Sequence, residues 1–445
     1  MVTMLTMSTL RSTLGLITLI ASLALGCGGS SGTAAPPSGP TPTPPPAATP
    51  TPSPSDPLAL LVVPEGLFGF DATQVSRDGR VVASALTDQQ LFTYTDPFGV
   101  ERIGAITCNR AYVWRDGLPA APLDLDPGCP FPEPNDAAIW FGDSVPVALS
   151  GDGSIALVNR RIADESAFGA SATFGLAHAD GRWEELVWDA VHPDAPVTPN
   201  ATANDMTPDA SVVVGNGWIQ YPYPGWSSSD SRAWRFRVGD DGPVWLAAPA
   251  DRLESADLVS DDGNVVVGCC DDSDDDRRSL PVVWRGDEAP VTLPAPVTLS
   301  GIRAYCRAND VSGDGRIVVG RCDNVAVRWD DGVPSVIDVP SGEVPDGGTV
   351  AHQALHVSSD GATIFGNSFF SGGPPGGWVW TDATGIRSVH ELLEEAGIVV
   401  DDGVQNGRRL GAALAVSDDA RVIVGFGESG IGDSHVSFLY RATLR

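Results

Sequence analysis

The chain reads as an all-β protein: a seven-bladed β-propeller closed by pairing of an N-terminal strand with the C-terminal blade. Three observations predict this. One pattern, Val-Ser-x-Asp-Gly-x-Val-Val-Val-Gly, recurs seven times, starting at Val75, Leu149, Met206, Val259, Val311, Val357 and Val416. Most copies lead into a further strand that ends in Trp. An apolar run at residues 59–63 has no earlier partner, and the seventh unit stops at Arg445 before reaching a fourth strand. Sheet units at such a period stack on their neighbours, and a closed ring leaves few exposed edges.

Each unit can be taken apart in order. The aligned acidic residues are Asp78, Asp152, Asp209, Asp262, Asp314, Asp360 and Asp419. Asp-Gly between two apolar runs is a strong hairpin signal. Ala210 and Ala420 stand where the other copies have Gly, so those two turns are expected to differ. A β-branched run follows, such as Val265-Val266-Val267, apolar enough to be buried on both faces. The glycines after it (Gly215, Gly268, Gly320, Gly366, Gly425) predict close backbone approach. The third strand is expected to place Trp114, Trp183, Trp234, Trp284, Trp329, Trp380 and Tyr440 at equivalent packing sites. A short fourth strand comes next, as at Val244-Trp245-Leu246 and Val291-Thr292-Leu293. Residues 389–396, stopped by Gly397, read as a helix decorating a loop of the sixth blade.

Ahead of this domain lie two segments of different character. Residues 1–26 read as a signal peptide: Arg11, then an apolar stretch at residues 14–25, too short for a membrane span. Leu23-Ala24-Leu25-Gly26-Cys27 resembles a bacterial lipobox, which implies lipidation at Cys27 and, with Gly28 next, an outer-membrane address. Ordinary secretory cleavage is the alternative. Residues 27–57 are rich in Pro, Thr, Ser, Ala and Gly and predict an extended tether; residues 58–445 form the propeller. The net charge of −30 argues against nucleic acid and against anionic lipid. Membrane contact is therefore expected through the lipid anchor alone, with the protein monomeric.

Six cysteines follow Cys27. Cys306 and Cys322 lie symmetrically about Asp314, which would put them opposite each other on paired strands and suits a disulfide. Cys108 and Cys129 are the second candidate pair; Cys269 and Cys270 could bridge each other or pair elsewhere. The run Asp271-Asp272-Ser273-Asp274-Asp275-Asp276 reads either as a solvated loop or as a weak calcium site at Asp272, Asp274 and Asp276. No other cofactor is expected. His352 and His356 lead into a strand and read as structural. The repeated Ser-x-Asp pairs recur too often for a single catalytic site and read as turn hydrogen bonds.

Asn309-Asp310-Val311-Ser312-Gly313-Asp314-Gly315-Arg316-Ile317-Val318-Val319-Gly320, followed by Ala326-Val327-Arg328-Trp329, resembles the bacterial HAF extracellular repeats. The resemblance covers most of residues 70–445. It implies export and a repeated β architecture, and it carries no reaction and no catalytic residues. The expected function is a non-catalytic binding or scaffold module of the cell envelope, an outer-membrane lipoprotein or surface protein. Its partner would be carbohydrate or an envelope protein. Tyr221, Tyr223, Trp226, Phe369 and Phe370 are the ligand candidates, as loop aromatics able to stack on sugar rings; loop-core packing is the alternative. The competing function is a polysaccharide-active hydrolase or lyase on the same scaffold.

Overall fold

The computed structural model describes residues 58–444 apart from 65–66, 96–100, 116–117, 124–142, 164–169, 187–199, 221–228, 248–252, 272–278, 298–304, 340–349, 371–375, 399–407 and 432–433. β1 (Leu58–Leu61) precedes seven consecutive groups of strands. Blade one is β2 (Leu67–Val75), β3 (Val81–Thr95), β4 (Glu101–Arg115) and β5 (Ala121–Pro122). Blade two is β6 (Asp143–Leu149), β7 (Ile155–Ala163), β8 (Ala170–His178) and β9 (Trp183–Glu185). Blade three is β10 (Asn200–Met206), β11 (Val212–Gln220), β12 (Ser229–Arg237) and β13 (Val244–Trp245). Blade four is β14 (Leu253–Val259), β15 (Val265–Asp271), β16 (Ser279–Arg285) and β17 (Val291–Thr292). Blade five is β18 (Cys306–Val311), β19 (Ile317–Cys322), β20 (Val325–Asp330) and β21 (Val333–Val336). Blade six is β22 (Val350–Val357), β23 (Thr363–Phe370), β24 (Gly376–Thr381) and β25 (Gly385–Ser388), followed by α1 (Val389–Glu395). Blade seven is β26 (Arg408–Val416), β27 (Val422–Ile431) and β28 (Ser434–Thr443), with β1 as its outer strand.

All seven sheets are antiparallel and four-stranded, and β1 closes the ring from the other end of the chain. Leu60 lies opposite Tyr440 and Leu58 opposite Ala442. β2 of the first blade packs on β26 of the last. Arg441 Nε donates to Gly79 O across the same seam at 2.7 Å.

The Ser-x-Asp-Gly motif builds one turn seven times. In the first copy Gly79 N donates to Ser76 O at 2.8 Å and Ser76 Oγ donates to Asp78 Oδ1 at 2.7 Å. Asp78 Oδ1 also accepts Arg80 N, and Ser76 Oγ accepts Val81 N. Ser and Asp thus cap the backbone of their own turn. The residue after Asp takes positive φ, 69° at Gly79 and 66° at Gly153. The two Ala copies do not differ: Ala210 and Ala420 adopt φ 58° and 59° and keep the same bonds. The cap network outweighs the roughly 1–2 kcal/mol that a Cβ costs in that region.

Every inner strand carries an irregularity, as between Ala203 and Asp205, Ala308 and Asp310, and Ala354 and His356, with two in β2 and two in β26. Such a bulge exposes backbone groups, and side chains of the preceding blade take them. Asn159 bonds both Ala203 O and Ala203 N, Asn204 Nδ2 donates to Ala256 O, Asn309 Nδ2 to Ala354 O and Asn367 Nδ2 to Ala413 O. The core between blades is apolar, with Val213, Val266, Val319 and Ile423 fully buried.

The Trp positions need correcting. Trp114, Trp284, Trp329 and Trp380 face Val82, Val266, Val318 and Ile364. Trp234 and Tyr440 sit two residues away, opposite Gly215 and Gly425. Trp183 is on β9, a fourth strand, half-buried beside Gly175. A glycine on the neighbouring strand leaves space for an indole, so the aromatic can occupy either of two sites on one face. Nor is α1 mere decoration: Val389 and Leu393 are buried with Ala413, Ile423 and Tyr440 of blade seven. Ser388 and Glu391 form its capping box.

Candidate functional site

Strand direction gives the ring two unlike faces. Inner strands end at the Ser-x-Asp-Gly turns, so these turns share one face, while second-to-third strand connections and blade-to-blade crossings share the other. Both ends of the domain lie on the turn face: Leu58 pairs with Ala442, and Leu444 N donates to Arg421 O.

The x residues of the seven turns are Arg77, Gly151, Pro208, Asp261, Gly313, Ser359 and Asp418. They meet on the axis, because residues of non-adjacent blades touch. Arg77 of blade one pairs with Asp261 of blade four, and its Nε lies 3.0 Å from Asp418 Oδ2 of blade seven. Ser359 Oγ of blade six donates to Asp261 Oδ2 at 2.6 Å. A Cβ on Gly313 would collide with Asp261 and Ser359. The x residues also bond through their backbones, as Gly313 N to Ser359 O and Asp418 N to Arg77 O. Side chains therefore fill the axis at this face.

More ionisable groups lie close by. Asp205 accepts Met206 N and, from the next blade, Val259 N. Asp310 does the same with Val311 N and Val357 N. Desolvation raises the Asp205 carboxyl to about 7 against the two N–H bonds, and Asp418 to about 6 against the Arg77 charge. His356 has Nδ1 3.7 Å from Asp310 Oδ2 and Nε2 3.1 Å from Leu414 O. Desolvation disfavours its charged form, but the Asp310 and Leu414 contacts prevail and its pKa is raised. Among the described residues, Asp205, Asp261, Asp310 and Asp418 each serve a contact between blades.

Of the sequence candidates, Cys306 and Cys322 are joined in a disulfide on paired strands, both fully buried. Cys108 is disulfide-bonded and buried; Cys129 lies outside the described residues. Cys269 carries a thiol, 3.2 Å from Ser255 Oγ. Phe369 is exposed on β23, next to Phe370 at the strand end on the connection face. Cys27, Tyr221, Tyr223, Trp226, Asp272, Asp274 and Asp276 lie outside the described residues. The axial residues were not singled out from the sequence. Their signal was there: a charged or hydroxyl side chain at x in four copies, and Gly or Pro in three.

No family model matches the chain, and no curated protein matches it. Among solved structures it is similar to an acylaminoacyl peptidase from Pyrococcus horikoshii. Identity is 11%, the match covers 86% of this chain and 52% of that one, and the TM-score is 0.50. It is also similar to the β-propeller domain of the Trilobed protease from Pyrococcus furiosus, with 11% identity, 85% and 96% coverage and TM-score 0.46. A putative TolB from Agrobacterium tumefaciens matches with 12% identity, 54% and 78% coverage and TM-score 0.35. This chain spans about half the length of the peptidase, and at these identities the likeness is one of fold.

Proposed function

We propose that this protein is an exported, lipid-anchored propeller of the cell envelope that acts as a non-catalytic binding or scaffold module. The observation that carries this reading is the use made of the ionisable groups. Arg77, Asp205, Asp261, Asp310, His356 and Asp418 all serve contacts between blades, and the six Ser-x-Asp pairs and Thr207-x-Asp209 serve their own turns. With both ends of the domain on the turn face, the connection face is the proposed ligand surface. Tyr221, Tyr223, Trp226, Phe369 and Phe370 are the proposed contacts there, Asp272, Asp274 and Asp276 a proposed weak calcium site, and Cys27 the lipidation site.

A polysaccharide array probed with the purified chain, with and without calcium, tests the binding role. Saturable binding without product supports it; turnover of a bound glycan replaces it with the enzyme reading. Labelling of cells with an alkyne fatty acid tests the anchor, which Cys27→Ser must abolish.

A further inference from the structure

Two arginines stand out in this acidic chain. Arg307 and Arg321 lie directly opposite each other on β18 and β19, where like charges repel. Among the described residues neither has an ion-pair partner. Arg307 is exposed and Arg321 half-buried. An uncompensated pair of guanidiniums is a cost to the fold, and a bound anion would relieve it.

Their surroundings define a cleft between blades five and six on the connection face. Arg321 pairs with Ala326, which packs in one cluster with Ala354 of blade six, so that face of blade five looks toward blade six. Tyr305, two residues before Arg307, is 39% exposed. His352 approaches from the other wall. It shares a face of β22 with Ala354, and its N–H donates to Asn324 O in the hairpin just after Arg321. Its Nδ1 lies 2.8 Å from Ser368 Oγ, while the buried Nε2 has no hydrogen-bond partner. Burial lowers the pKa of this imidazole, so it is a neutral polar group at pH 7. Among the described residues, the β19–β20 hairpin at this cleft is short. β19 has six residues, against seven in β15 and eight in β23, and only Asp323 and Asn324 join it to β20.

We propose that this cleft binds an acidic saccharide, with a uronate carboxylate on Arg307 and Arg321 and the sugar face against Tyr305. Planar guanidiniums match a carboxylate in shape and charge. An adjacent aromatic offers an apolar face to a sugar ring, and His352 Nε2 offers one more hydrogen bond. The inference deepens the binding-module reading and rests on it.

The test is calorimetric titration of the full chain in detergent with an oligoguluronate hexamer, cellohexaose and inorganic phosphate. The hexauronate should bind, weaken with added salt, and lose about tenfold or more in affinity in Arg307→Ala and in Arg321→Ala. Tyr305→Ala should weaken the hexauronate and leave phosphate unchanged. Thermal melts confirm that each variant folds. Equal affinity for cellohexaose, or phosphate binding with no saccharide binding, overturns the assignment. Hexauronate binding that ignores all three substitutions places the site elsewhere and leaves the binding module standing. A chain that binds no glycan on the wider array and captures no envelope protein defeats both readings.

Discussion

Asp205, Asp418 and His356 decide how stability responds to pH. The two carboxyls sit near 7 and 6 in the folded chain, above the ordinary value of 3.8. The native state thus binds more protons than the unfolded one between about pH 4 and 7, and stability rises as pH falls through that window. His356, also raised, contributes stability below its ordinary value that is lost as pH rises through its folded one. All three act in one direction, so the melting temperature should climb at least about 3 °C from pH 8 to pH 5. Asp205→Asn should flatten the slope; a native protein more stable at pH 8 than at pH 5 contradicts the account. Below about pH 4 the trend reverses, because Asp152, Asp209, Asp314 and Asp360 are held low by hydrogen bonds in their turns, as is Asp262 despite partial desolvation. The turn glycines give a second residue-level prediction. Gly153 has φ 66°, and a Cβ there would collide with Val81 of the preceding blade. Gly153→Ala should cost about 2–4 kcal/mol in chemical denaturation, strain and overpacking together. Ala210→Gly should instead stabilise by up to about 1 kcal/mol, since the backbone already occupies the left-handed region.

Among the elements, β1 and the β18–β19 pair carry most consequence. β1 has only four residues, yet without it β28 would present an open edge. Trp114 Nε1 also donates to Val62 O, tying the link after β1 to blade one. A chain lacking residues 58–61 should melt well below the parent and self-associate on size exclusion. An unchanged melt would show that the blade stands on three strands. The Cys306–Cys322 bridge spans 16 residues, and on loop entropy its loss should cost about 3 kcal/mol. Cys306→Ala with Cys322→Ala measures this by denaturant titration. With both sulfurs buried, reductant should leave the bridge intact in the native protein and lower the melt only through the unfolded chain.

Across the whole molecule, the axial contacts link blades that are not neighbours. Arg77 ties blade one to blades four and seven, and Ser359 ties blade six to blade four. Arg77→Ala strands Asp261 and Asp418 without their cation. All three side chains remain about one-third exposed, so solvent screening keeps the expected loss near 1–2 kcal/mol. The loss should be larger at pH 8 than at pH 5, where Asp418 is protonated. Equal loss at both pH values would mean that the salt bridge contributes little.

Local chemistry made most of the fold legible. A Ser, an Asp and a following Gly specify a turn through bonds among six consecutive residues, and β-branched runs specify buried strands wherever they occur. Blade number, the closing partner of β1, and the Cys306–Cys322 register follow from such short-range rules. Only the tertiary structure decided what depends on neighbours from other blades. Ala210 could not be recognised as a Gly equivalent because its strain is offset by bonds that the sequence does not display. Trp183 could not be assigned to a strand because an indole over Gly175 fits from either adjacent strand. Arg77, Asp261, Ser359 and Asp418 occupy the variable position of the motif, and they become one cluster only when residues up to 341 apart in the chain converge on the axis. The cleft beside Arg307 and Arg321 likewise exists only between two assembled blades.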